Sequence, residues 1–214
     1  FLGTKKHSAS LGFAWWRWAT PPARRCAPPA MEPMEGMREQ LERAHVPIWR
    51  EGEEPDAAEI ADRRARFHTP YHEALAAQIA RVKALHGIAI LYDCHSIRSL
   101  IPFLFEGKLP DFNIGTNSGT TCHPLIEQAV AETCAAADGY TSVLNGRFKG
   151  GWTTRHYGRP SDNVHAIQME LAQSTHLAAE SAPFAYDETK AARLRPHLAD
   201  ILTRLERLAL DGKL

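Results

Sequence analysis

"IAILYD", residues 88–93, is a short and mostly apolar run, and it passes without a break into Cys94, His95, Ser96 and Arg98. A run this short with flanking Gly87 reads as a buried central strand rather than a helix, because strands of four to eight residues suffice to cross a sheet. Upstream, Ile60, Phe67, Tyr71, Leu75, Ile79, Val82 and Leu85 recur at spacings of seven, four or three, which predicts an amphipathic helical stripe over 56–86. Pro70 kinks that stripe or starts a second helix, and Gly87 ends it.

Downstream, residues 94–121 are rich in Gly, Asn, Ser, Thr and Pro and read as one long loop. A helix follows over 123–137, a second strand over 140–145, the Gly-rich segment "GRFKGGWTTRHYGRP" at 146–160, and a third strand at 164–171. Leu194, Leu198, Ile201, Leu202, Leu205 and Leu208 predict an amphipathic helix toward the C-terminus. Helices alternating with apolar strands make the fold class α/β, a mixed sheet flanked by helices.

Lys+Arg and Asp+Glu are both 25, so no basic excess points to nucleic acid or an anionic membrane. No stretch approaches the roughly eighteen apolar residues of a membrane span. Four cysteines without a CxxC pair argue for a reducing, cytoplasmic setting. The first thirty residues hold no acid and three of the five tryptophans. Residues 1–46 are expected to be an atypical, disordered or non-native extension, and 47–214 to form the domain.

Ligands bind outside the carboxyl ends of strands in α/β sheets, and the three expected strands end in Asp93 to Arg98, Asn145 to Arg147, and Glu170. His95 is a metal ligand or a hydrogen-bonded structural imidazole. Cys94 alternates with His95 and is expected to pack inward. In "HAIQMEL", alternation places Ala166, Gln168 and Glu170 on one face, with Ile167, Met169 and Leu171 on the other. A carboxylate on a buried strand is costly unless paired or used, and burial lifts its pKa toward that of a general base. The competing reading of Glu170 is the exposed face of an edge strand. Arg147, Lys149, Arg155 and Arg159 form an acid-free basic loop suited to carboxylates, or merely solvated. No HxxE, HExxH, GxxxxGK[ST] or GxSxG occurs.

The segments "LYDCHSIRSLIPFLFEGKLPDFNIGTNSGTTC", "LNGRFKGGWTTRHYGRP" and "VHAIQMELAQSTHL" closely resemble the N-formylglutamate amidohydrolase (N-formylglutamate deformylase) family, over about Pro47 to Leu210. The resemblance implies a fold similar to that of zinc carboxypeptidases and hydrolysis of N-formyl-L-glutamate in histidine degradation. It implies His95 as a ligand of a divalent metal, Zn2+, and Glu170 as the general base. Arg98, Asn145, Arg147 and Arg155 are then expected to hold the substrate carboxylates.

The family's upstream metal-binding segment, which supplies a His and an acidic ligand, has no counterpart in this sequence. The chain therefore reads as the C-terminal three-quarters of such an enzyme, with one recognisable metal ligand. Two alternatives accompany this reading: a deacylase of another N-acyl amino acid, and a non-catalytic protein that binds an acidic metabolite.

Overall fold

The computed structural model describes residue 49 and residues 52–214; the expected extension over 1–46 lies outside the described residues. The helical stripe forms in three pieces: α1 (Ala57–Arg63), a π-helical turn (Arg64–His68) and α2 (Thr69–His86). Asp56 caps α1 by accepting from the Glu59 N–H at 2.7 Å. Pro70 stands in the first turn of α2, where a missing N–H costs nothing. Gly87 closes α2 in the left-handed region at φ +76° and donates to the Lys83 carbonyl at 2.7 Å. The apolar stripe itself is not buried: Ile60, Phe67, Tyr71 and Leu85 are exposed among the described residues.

Among the described residues, four strands make one mixed sheet in the order β1–β4–β2–β3. They are β1 (Ala89–Ile97), β2 (Phe112–Gly115), β3 (Ser142–Leu144) and β4 (Val164–Ala172). β1 runs parallel to β4, β4 antiparallel to β2, and β2 parallel to β3. The expectation of a central opening strand is corrected: among the described residues β1 is an edge of this sheet, and β4 is interior. An apolar run reports burial of side chains, whereas edge or centre depends on which backbones pair with it. The expected loop over 94–121 is also corrected, since β1 continues to Ile97 and "FNIG" forms the fully buried β2. Four residues are too few for a readable period.

The remaining helices are α3 (Pro124–Ala135), α4 (Trp152–Tyr157) and α5 (Glu188–Leu210). Phe112, Ile114, Ile167 and Met169 project from one sheet face onto Ile126, Val130 and Cys134 of α3 and Leu194, Ile201 and Leu205 of α5. That dry layer is the core, and strand alternation sends the intervening residues to the other face. There, α2 and α4 pack beside β1 and β4. Among the described residues no helix is long and apolar enough to cross a membrane.

Candidate functional site

The second sheet face collects polar side chains from three strands. His95 lies opposite Glu170 across the β1–β4 pair, and Glu170 lies opposite Asn113 across β4–β2. One row earlier, Asp93 faces Gln168, which in turn faces Gly115. The alternation expected for "HAIQMEL" holds, with Glu170 and Gln168 on this face and Ile167 and Met169 in the core.

Asp93 and His95, two residues apart on one strand, share that face. His95 Nε2 and Asp93 Oδ1 are 3.0 Å apart. The hydrogen bond to Asp93 holds the imidazole above its ordinary pKa; the negative charges of Asp93 and Glu170 add to this, and burial opposes it. The second Asp93 oxygen, Oδ2, is buried without a hydrogen-bond partner.

Glu170 is 7% exposed on the interior strand, which removes the edge-strand alternative. Burial pushes its carboxyl up to about 7, helped by the Asp93 charge and opposed by His95. A carboxyl poised there is both proton acceptor and proton donor near neutral pH. Asn113 fastens β2 at the same level: its Nδ2 donates to the Glu170 carbonyl at 3.1 Å and to the Pro110 carbonyl at 2.7 Å.

The Gly-rich segment closes over this face instead of looping into solvent. The Gly151 N–H donates to Gln168 Oε1 at 2.6 Å, directly before α4. A Cβ on Gly115 would lie 2.5 Å from the Gly150 nitrogen, so only glycine lets the loop cross β2 there. Gly150 itself sits at φ +112°, a conformation that L side chains rarely adopt.

The four expected substrate-binding residues divide. Arg98 is exposed just beyond β1 and has no hydrogen bond or ion pair among the described residues. It lines an open cleft of about 510 Å³ with Ser96, Ile97, Ile101, Gln173, Leu177 and Phe184. Arg147 is likewise exposed and unpaired among the described residues. Arg155 stands exposed on α4, with Nη1 donating to the Gly150 carbonyl at 2.9 Å. Asn145 is different, because its amide is used inside the protein. Its Oδ1 accepts from the Thr116 N–H at 2.9 Å and the Ser118 N–H at 3.2 Å, while Nδ2 donates to Thr116 Oγ1 at 2.8 Å. The structure therefore makes Asn145 a brace of the loop after β2.

Cys94 does not pack inward as expected; it is exposed, in the half of β1 where the strand's side chains become accessible. Asp93, Asn113, Gln168 and Gly115 were not singled out as site residues from the sequence. For Asp93 and Gln168 a signal existed, since each stands two residues before a singled-out residue on the same strand face.

As a metal site the described residues fit only in part. His95 offers one imidazole, already engaged at Nε2 by Asp93, and no group of three His, Cys, Asp or Glu able to hold a metal occurs among the described residues. Three protein donors are the usual minimum for a hydrolytic zinc centre. No chemical step is therefore assigned to a metal below.

A family model described as N-formylglutamate amidohydrolase matches residues 22–177. A curated N-formylglutamate deformylase from Pseudomonas aeruginosa is 51% identical over 159 residues, covering 74% of this chain and 59% of the relative. A second, from Pseudomonas putida, is 46% identical over 159 residues with the same coverage, 74% and 59%. The crystal structure of N-formylglutamate amidohydrolase from Ralstonia eutropha JMP134 superposes with a TM-score of 0.57 at 26% identity, over 71% of this chain and 55% of that one. The chain thus spans 59% of the length of the curated relatives it matches.

Proposed function

The chain belongs to the N-formylglutamate amidohydrolase family, and from that premise we propose that it hydrolyses N-formyl-L-glutamate to L-glutamate and formate. The observation that carries this reading is the placement of Glu170, a buried carboxyl raised to about 7, opposite the Asp93-bonded His95.

In the proposed reaction, ionised Glu170 takes a proton from the attacking water as the water oxygen bonds to the formyl carbon. The carbon–nitrogen bond then breaks, and Glu170 returns the proton to the departing amine. His95, held charged by Asp93, stabilises negative charge developing on the formyl oxygen. Arg98, Arg147 and Arg155 supply guanidinium groups for the two substrate carboxylates. Asn145 acts on this set indirectly, by bracing the loop after β2. We also propose, on the family resemblance, that His95 is one ligand of a divalent metal, Zn2+, which it would hold through its neutral form in place of the charged role above. On the same ground we assign the sheet to the zinc carboxypeptidase type and the reaction to histidine degradation in the cytoplasm.

The test is formate release from N-formyl-L-glutamate by the full chain, with metal content measured on the same sample. Turnover that Glu170→Gln abolishes, in a chain that stays folded, supports the reading. A folded chain that binds N-formyl-L-glutamate but releases no formate overturns it. That outcome favours a second reading, a non-catalytic binder of acidic metabolites, for which the want of a three-donor metal group among the described residues speaks.

A further inference from the structure

The cleft beyond the strand ends has a chemistry that glutamate does not explain. Ile97 pairs with Ala172 two positions past the His95–Glu170 row, roughly 7 Å along the strands at about 3.3 Å per residue. Ile97 and His95 are on the same face by alternation. An amide held at His95 and Glu170 with its amino-acid portion directed along the strands reaches this cleft. Its walls are Ile97, Ile101, Leu177 and Phe184, and among the described residues its one charged lining residue is Arg98.

The nearby acid, Glu180, does not neutralise that guanidinium. Both of its oxygens are bound by Ser99, Oε1 by the backbone N–H at 2.8 Å and Oε2 by the hydroxyl at 2.7 Å. One cation beside apolar walls suits one carboxylate on an apolar stem. A second carboxylate beside Ile101, Leu177 and Phe184 would find no second cation among the described lining residues.

We propose that this cleft admits a second substrate class, N-formyl derivatives of apolar amino acids, with the side chain against Leu177 and Phe184 and the α-carboxylate on Arg98. The inference rests on the reading of His95 and Glu170 as the hydrolytic centre. The reaction is the same hydrolysis: water oxygen bonds to the formyl carbon, the carbon–nitrogen bond breaks, and formate and the free amino acid leave.

The experiment measures dissociation constants of the full chain, by calorimetry, for N-formylglycine and the N-formyl derivatives of L-alanine, L-norvaline and L-norleucine, beside N-formyl-L-glutamate. Affinity is expected to rise about fourfold per methylene, the value of burying one such group. Leu177→Asp and, at an exposed position that spares folding, Phe184→Ser are each expected to flatten that rise. A flat or falling series, no binding at all, or a rise that both variants leave intact overturns the proposal. The two readings fail separately. Turnover of N-formyl-L-glutamate with a flat series removes only the cleft assignment. A rising series with formate released from those compounds but not from N-formyl-L-glutamate removes only the glutamate reading, and a rising series with no formate from any of them overturns both.

Discussion

His95 and Glu170 stand opposite each other on neighbouring parallel strands, one at the edge of the sheet and the other inside it. Their contrasting environments both favour the protonated form, which is charged for the imidazole and neutral for the carboxyl. Asp93 raises the imidazole pKa, and burial lifts the carboxyl to about 7, where it can both accept and give up a proton near neutral pH.

Replacing Asp93 with Asn removes the hydrogen bond and charge that raise His95. The His95 pKa is expected to fall, read as a movement of its midpoint to lower pH in an NMR titration of the ring protons. An unchanged midpoint would show that Glu170, not Asp93, dominates. In the parent chain the raised imidazole adds stability that is full below the ordinary histidine pKa and disappears as pH climbs through the folded one.

Glu170→Gln should make the protein more stable in alkali. The carboxyl is raised from 4.5 to about 7, so its contribution to stability is full below 4.5 and lost as pH rises through about 7. Melting temperatures of parent and variant are expected to diverge between pH 5 and 8, in favour of the variant. Parallel curves across that window would contradict the burial of Glu170.

Gly115→Ala places a Cβ 2.5 Å from Gly150 N and 2.7 Å from Lys149 C, both backbone atoms that cannot swing aside. The crossing loop must lift, breaking the Gly151 to Gln168 bond. Denaturant unfolding is expected to show a loss of about 1–3 kcal/mol, the usual cost of overpacking. Activity should fall with it, because α4 carries Arg155.

Asn145→Ala and Arg147→Ala separate scaffold from surface. The first removes three hydrogen bonds around Thr116 and Ser118 and is expected to cost about 1–3 kcal/mol. The second touches an exposed, unpaired side chain and should leave stability within about 0.5 kcal/mol. Its effect, if Arg147 holds substrate, appears in KM alone.

His165 is 2% exposed on β4, and neither ring nitrogen has a hydrogen-bond partner. Burial, then the neighbouring His123, lowers its pKa, so its neutral form belongs to the folded state. Its contribution is full above the ordinary histidine pKa and is lost as pH falls through the folded value. His165→Leu is expected to flatten the acid limb of the stability profile, measured by melting from pH 7 down to about 4.5. A limb as steep as the parent's would place the acid sensitivity elsewhere.

How much of this was legible beforehand varies with the kind of signal. The period-2 pattern of "HAIQMEL" assigned the faces of β4, and the leucine spacing assigned α5, because side-chain direction follows local backbone geometry. β2 and α4 were not legible. "FNIG" is four residues long, and "WTTRHY" sits between glycines, so neither carries a period. Both are held by partners distant in sequence, Glu170 and Gln168 among them.

By itself the sequence determined the family, the α/β class and the candidates His95 and Glu170, since long motifs and strand alternation are properties of neighbouring residues. Only the tertiary structure decided that β1 is an edge, that Cys94 is exposed and that Asn145 is a brace. It also decided that Glu170 is interior, buried and raised to about 7. Pairing order, desolvation and hydrogen-bond partnership depend on segments far apart in the chain, and no local pattern encodes which of them meet.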